Sequence, residues 1–189
     1  ILAGLLQPSE GEMIFNQKVI TNKTIRERAN LGIVYLPQEP SIFRNLTVLD
    51  NIKSAFEVQK LDQKKLSSRT EEIIEDFDIS SITSQKGGEL SGGQRRRVEI
   101  ARSIALNPKF IMLDEPFAGI DPIAILELKN LIKKLSNKGL GILISDHNVK
   151  ATMDICSEIF IISEGSIISK GTPDEVSNNE IVKKTYLGE

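Results

Sequence analysis

Apolar positions in this chain fall into short, dense runs separated by longer polar stretches with helical spacing. Leu31 to Leu36 is rich in branched residues and ends at Pro37-Gln38. Phe110-Ile111-Met112-Leu113 runs into Asp114-Glu115-Pro116, and Gly141 to Ser145 runs into Asp146-His147. Runs this short, with no polar alternation, predict strands covered on both faces. Between them, Thr24 to Asn30 reads as a polar helical turn. Thr47, with Asp50 three residues on as a capping box, opens a charged stretch of helical period that reaches about Phe77 and holds two or three helices. A helix follows the glycine-rich segment Lys86–Gln94 and runs through Leu106 to Pro108. Asp121-Pro122 opens another, with Asp as N-cap and Pro at the first helical position. Met13–Phe15 and Val19-Ile20 read as a short hairpin, and Ile159–Ile162 and Ser166–Ile168 as two more strands. A further helix starts at Thr172-Pro173-Asp174-Glu175, and Ile1–Leu6 reads as the end of a buried helix.

Apolar strands alternating with helices predict βαβ units: an α/β fold with a mostly parallel sheet flanked by helices. In such sheets a ligand sits beyond the carboxyl ends of the strands. Gln38, Asp114-Glu115 and Asp146-His147 all lie at such ends and are expected to converge. The stretch 47–85 is expected to be a helical subdomain inserted into a core made of 1–46 and 86–189.

Composition narrows the class. With 189 residues, 40% hydrophobic and 26% charged, the chain is long enough to bury a core. A net charge of −2 lacks the basic footprint of a nucleic-acid binder, so no nucleic-acid partner is expected. The single cysteine, Cys156, forms no internal disulfide, which suits a reducing compartment. No apolar run approaches the ~20 residues of a membrane span. The chain opens without methionine or a charged leader, and reads as a cytosolic protein whose beginning is missing.

Two adjacent carboxylates leaving a buried strand are costly unless cations or donors balance them. Asp114 holding Mg²⁺ through water, beside Glu115 orienting an attacking water, would account for the pair; a solvated strand exit is the plain alternative. His147, the only histidine, is placed either to hydrogen-bond a terminal phosphate or simply to be satisfied near a helix start. In Leu90-Ser91-Gly92-Gly93-Gln94, Ser91 caps a helix, while the glycines let backbone N–H groups approach an anion at the helix N-terminus. The alternative is a capped helix with a flexible entry. Arg95-Arg96-Arg97 read mainly as a solvated face, at least two of the three, and Asp121 as a helix cap. Gln38 alone means little.

In order along the chain, however, these pieces resemble the ATP-binding cassette family. They match its Q-loop (Gln38), signature (Leu90–Gln94), Walker B strand (Phe110–Asp114) with catalytic Glu115, D-loop (Ala118–Asp121) and switch His147. Six elements in sequence do not arise by chance. The resemblance implies a P-loop NTPase-like fold, ATP and Mg²⁺ as ligands, and a homodimer in which two subunits sandwich ATP head to tail. It further implies integral membrane permease subunits as partners, on the cytoplasmic face of an inner membrane. It assigns Ser91 and Gly93 to the γ-phosphate held by the opposite subunit, Gly92, Gln94 and Asp121 to the nucleotide site, and Asp114 and Gln38 to nucleotide and Mg²⁺. Glu115 would polarise water, His147 would contact the γ-phosphate, and Asp121 would signal across the dimer. Phe43 and Arg44 would dock a membrane subunit. Within the family, Tyr35–Arg44, Arg95–Arg102, Asp114–Pro122, Ser145–Val149 and Tyr186-Leu187-Gly188-Glu189 look like the ATPases of lipopolysaccharide export, with branched-chain amino acid importers as the nearest alternative. ATPases of DNA maintenance would carry long coiled coils, and those of translation two cassettes; neither appears here.

The family's phosphate loop, G-x-x-x-x-G-K-S/T, occurs nowhere in residues 1–189. Ile1–Leu6 matches the end of the helix that follows that loop. The expectation is therefore an N-terminally truncated sequence, inactive as it stands, with a non-enzymatic interaction module as the remaining reading.

Overall fold

The computed structural model describes residues 1–57, 59 and 62–183; the terminal Tyr186–Glu189 lies outside the described residues. The chain divides into two compact units, Ile1–Ser145 and Asp146–Glu189.

The first unit is built on a three-stranded parallel sheet in the order β3 (Ile33–Leu36), β4 (Phe110–Asp114), β5 (Gly141–Ser145). The register pairs Leu36 with Leu113 and Asp114 with Ser145, so the strands end together. Both faces of β4 are covered, as its unbroken apolar run requires. Ile111 and Leu113 are buried with Val34 and Leu36, and helix α4 (Gly92–Ala105) packs on β3. Met112 and Ile33 join Ala3 and Ile20 on the other side, against Phe15, Tyr35, Phe110 and Leu143. Phe15 meets Phe110 edge to face, ring centres 6.5 Å apart. Phe15 comes from the hairpin β1 (Ile14–Phe15) and β2 (Lys18–Val19).

Ile1–Leu6 is a series of turns and bends rather than the expected helix end, and Leu5 and Leu6 are exposed. The carbonyls of Ile1 and Leu2 instead accept from the buried Arg28 guanidinium at 3.0 and 2.7 Å. Arg28 stands on α1 (Ile25–Asn30), which Thr24 caps in a capping box with Glu27.

Helices α2 (Val48–Glu57) and α3 (Gln63–Asp76) fall within the stretch of expected helical period. Val48, Asn51, Ile52, Ala55 and Phe56 form a buried stripe at i, i+3, i+4, i+7 and i+8 facing α4 and α3. The ends of this stretch are laced together: Val48 N–H donates to Gln85 C=O, Gly87 N–H to Leu46 C=O, and Gly88 N–H to Arg44 C=O, each at 2.9 Å. α5 (Pro122–Asn137) connects β4 to β5 and buries Leu128, Ile132 and Leu135.

The second unit holds α6 (Val149–Met153), the antiparallel pair β6 (Ile159–Ser163) and β7 (Ser166–Gly171), α7 (Pro173–Ser177) and α8 (Glu180–Val182). Ile159, Ile161, Val176 and Val182 form its core. Among the described residues, no helix is long and apolar enough to cross a membrane.

Candidate active site

The ends of β3, β4 and β5 bring Gln38, Asp114 and Glu115 together. Asp114 is the last residue of β4, and its carboxylate is clamped by hydroxyls from both neighbouring strands. Tyr35 OH donates to Oδ2 at 2.8 Å and Ser145 Oγ–H to Oδ1 at 2.5 Å. Burial first, and the bond to Asp114 second, push the Tyr35 phenol above its ordinary pKa, so it remains a donor. Glu115 then turns into the left-handed region, at φ +42°. For a side chain bearing a Cβ this costs about 1–3 kcal/mol. Its N–H donates to Ser145 C=O at 2.7 Å, and its C=O accepts from Ala118 N–H at 3.2 Å, which hold the turn. The carboxylate thereby meets Gln38, whose Nε2–H donates to Oε2 at 2.8 Å.

Arg96, one of three arginines of which at least two were expected to be solvated, is buried beneath this cluster. Its guanidinium donates to Asp114 C=O at 2.7 Å and to Pro37 C=O at 2.9 Å, tying two strand ends to α4. Its flanking arginines are also engaged. Arg95 donates to Leu90 C=O at 3.2 Å, and Arg97 pairs with Glu127 of α5. The arginines sit on a helix wedged between the sheet and three other helices, so little of that face is left for solvent.

The signature segment forms the start of the same helix. Ser91 is the N-cap: its Oγ accepts from Gln94 N–H at 3.3 Å, while Ser91 N–H donates to Gln94 Oε1 at 3.0 Å. Packing requires a glycine at 93 and leaves little room for a side chain at 92. A Cβ on Gly92 would stand 3.1 Å from Gly119 C=O, and one on Gly93 would stand 2.4 Å from Ala124 Cβ. Asp121 caps α5, its Oδ1 accepting from the N–H groups of Ile123 at 3.1 Å and Ala124 at 3.0 Å. Ser91, Gly93, Gln94, Arg97, Asp121 and Ala124 line a shallow pocket. Ser91 and Asp121 thus fill the capping roles that sequence reading allowed them.

Phe43 is half exposed and fixed from below. Buried Asn51 accepts from Phe43 N–H at 2.9 Å and donates to its C=O at 3.0 Å, and the Arg102 guanidinium lies 4.8 Å from the ring centre. Arg44 is exposed beside it. His147 belongs to the second unit, between β5 and α6. Its side chain is exposed, with Nδ1 3.9 Å from Asp146 Oδ1, and Asp146 Oδ1 accepts Asn148 N–H at 2.7 Å. It is therefore not one of the residues that the first unit brings together.

Tyr35, Ser145, Arg96, Glu99, Arg102 and Asn51 were not picked out from sequence. Tyr35, a hydroxyl inside an aliphatic strand, and the charged residues at i, i+3 and i+6 of an otherwise buried helix are the signals that could have found them.

The donor set suits a hard divalent cation. Asp114 offers carboxylate oxygens already oriented by two hydroxyls, with the Gln38 amide nearby. Among the described residues no cluster of three or more His, Cys, Asp or Glu side chains gathers into a cage. Mg²⁺ is held in this way, by one or two carboxylates together with water and substrate phosphates.

A parallel sheet ending in an Asp-Glu pair, a glutamine from the adjoining strand and a serine-capped glycine-rich helix define a nucleotide-binding cassette. Residues 1–118 match the ABC transporter family model, and the chain belongs to that family. It is 48% identical, over its whole length and 79% of the relative's, to the lipopolysaccharide export system ATP-binding protein LptB of Haemophilus influenzae. It is 45% identical, over the same shares, to the protein of that name from Escherichia coli strain K12. Among solved structures it resembles the ADP conformation of MJ1267, an ATP-binding cassette of an ABC transporter. The TM-score is 0.84 at 31% identity, over 98% of this chain and 80% of that one. CbiO1 of Clostridium perfringens, part of an ABC transporter complex, superposes with a TM-score of 0.85 at 29% identity, over 98% of this chain and 75% of that one.

Proposed function

We propose that this chain belongs to the ATP-hydrolysing subunit of a transporter that exports lipopolysaccharide from the inner membrane. The observation that carries the ATPase reading is the hydrogen-bonded set Gln38–Glu115 beside the hydroxyl-clamped Asp114. The cargo rests on identity along the whole chain to proteins named for lipopolysaccharide export.

In this reading Asp114 would hold Mg²⁺ through water, and the hydroxyls of Tyr35 and Ser145 keep its carboxylate aimed. The chemistry Mg²⁺ would supply when held there is neutralisation of phosphate charge. Glu115 polarises the attacking water. Gln38, hydrogen-bonded to Glu115, would reach water and Mg²⁺ when the site closes. His147 contacts the γ-phosphate. Ser91 and Gly93 bind the γ-phosphate held by a second copy facing head to tail, Gly92 and Gln94 complete that nucleotide site, and Asp121 signals between copies. Permease subunits on the cytoplasmic face dock at Phe43 and Arg44. Residues 47–85 act as a helical subdomain against a core of 1–46 and 86–189. Since no G-x-x-x-x-G-K-S/T occurs in residues 1–189, that polypeptide by itself lacks the cradle for β- and γ-phosphates and does not turn over ATP at family rates.

The test is reconstitution of the subunit expressed from its native gene with its membrane subunits in proteoliposomes carrying lipopolysaccharide. ATP-dependent release of lipopolysaccharide to an acceptor supports the reading. ATP-driven uptake of branched-chain amino acids, or no ATP dependence at all, overturns it.

A further inference from the structure

Three side chains one turn apart on α4, Arg96, Glu99 and Arg102, face the loop between β3 and α2 and take up its backbone groups in order. Arg96 donates to Pro37 C=O at 2.9 Å. Glu99 Oε1 accepts from Ser41 N–H at 2.7 Å and Ile42 N–H at 3.2 Å. Arg102 donates to Ser41 C=O at 2.6 Å and to Ser41 Oγ at 3.0 Å, and its guanidinium stacks on Phe43. The loop's middle, Gln38 to Pro40, is exposed. It is thus suspended between anchors on one rigid helix, with Gln38 at the site and Phe43 on the surface.

Glu99 is the hinge pin of this arrangement. The residue is 2% exposed, a burial that is costly for a carboxylate unless charge and donors balance it. The balance comes from two loop amides on one oxygen and from Arg96, 3.4 Å from the other. Arg96 in turn grips Asp114 C=O. One buried carboxylate therefore joins the backbone just before Phe43 to the guanidinium that fixes the strand ends. Neither the hydrolysis chemistry nor the docking contact uses Glu99 directly.

We propose that Glu99 is a positioning residue that makes the 37–43 loop move as one body, so that a membrane subunit docked at Phe43 sets the placement of Gln38 against Glu115. The inference rests on the transport reading above. Without Glu99's charge, docking still occurs but no longer reaches the site.

The test uses the subunit from its native gene with the lipopolysaccharide-export membrane subunits of the same organism in proteoliposomes. ATP turnover is measured for the ATPase alone and for the complex. Glu99→Gln keeps the side chain's volume and an amide-accepting oxygen, but removes the charge facing Arg96. Its turnover alone is expected to stay within about twofold of the unsubstituted protein. Stimulation by the membrane subunits is expected to fall about fivefold or more, the lower end of ordinary coupling strengths, with co-purification and the ATP concentration for half-saturation unchanged. Ser41→Pro deletes the 2.7 Å N–H donor from the other side together with the Ser41 hydroxyl that Arg102 reaches, leaves the Arg96–Glu99 pair in place, and must show the same pattern; Ser41→Ala, which removes the hydroxyl alone, must keep full stimulation. Full stimulation in Glu99→Gln or Ser41→Pro overturns the inference. So does an equal fall of basal and stimulated turnover, or loss of co-purification, since each marks a purely structural role. An unsubstituted complex without ATP turnover overturns the transport reading, and this inference with it.

Discussion

Gly93→Ala isolates what the second glycine of the signature does. The added methyl stands 2.4 Å from Ala124 Cβ, where unstrained carbons sit about 3.5–4.0 Å apart. The overlap exceeds ~1 Å, and its partner is a Cβ fixed to the first turn of α5, with no torsion to swing it away. The helix starts must separate, at an expected cost of about 1–3 kcal/mol. Ala124→Gly alone should cost no more than ~1 kcal/mol from helix propensity. The double variant should match Ala124→Gly alone, giving a favourable coupling energy of about 1–3 kcal/mol. Urea denaturation followed by circular dichroism measures all four proteins. If Gly93→Ala alone lies within about 0.5 kcal/mol of the unsubstituted protein, the packing argument is refuted. ATP turnover of the double variant separates the second role. If Gly93 also lets backbone approach a phosphate, stability returns while turnover stays low.

Arg96→Met should destabilise by about 3–5 kcal/mol in the same denaturation assay, because it leaves the Glu99 carboxylate buried without its charge partner and takes the donor from two carbonyls. Tyr35→Phe removes one of the two hydroxyls on Asp114 and should cost about 0.5–3 kcal/mol of stability. In the unsubstituted protein, ultraviolet titration should find the Tyr35 phenol ionising above the ordinary value near ~10. The Asp76 carboxyl is held below its ordinary pKa, chiefly by hydrogen bonds from Lys138 and Lys134, and so contributes stability above the ordinary Asp range that disappears as pH falls through the lowered value. Asp76→Asn should therefore cost under ~1 kcal/mol at pH 7, discounted for solvent screening, with the difference vanishing toward pH 2 when thermal midpoints are compared across pH.

The elements that sequence located best are those whose signals are local. Thr24, Thr47, Ser91, Asp121 and Thr172 announce helix starts by side chains that bond their own backbone within three residues. The apolar runs of β3, β4 and β5 announce burial on two faces. Gln38 and Glu115 were placed at strand ends by the same logic, and the parallel register brings them into contact. Arg96, Glu99 and Arg102 were missed because their partners, Pro37, Ser41 and Asp114, lie 15 or more residues away. A charged residue on a helix reads as solvated until the fold supplies its acceptors. Ile1–Leu6 shows the reverse error: an apolar run was read by composition, whereas its backbone is captured by Arg28 across the unit.

The central claim, that Glu115 is the residue on which ATP hydrolysis turns, is tested most directly by Glu115→Gln in the reconstituted complex. The substitution keeps the shape of the side chain and removes its negative charge. Bound ATP, measured by filter retention of labelled nucleotide, should be undiminished, while steady-state turnover should fall about 100-fold or more. Turnover within about threefold of the unsubstituted complex would contradict the account.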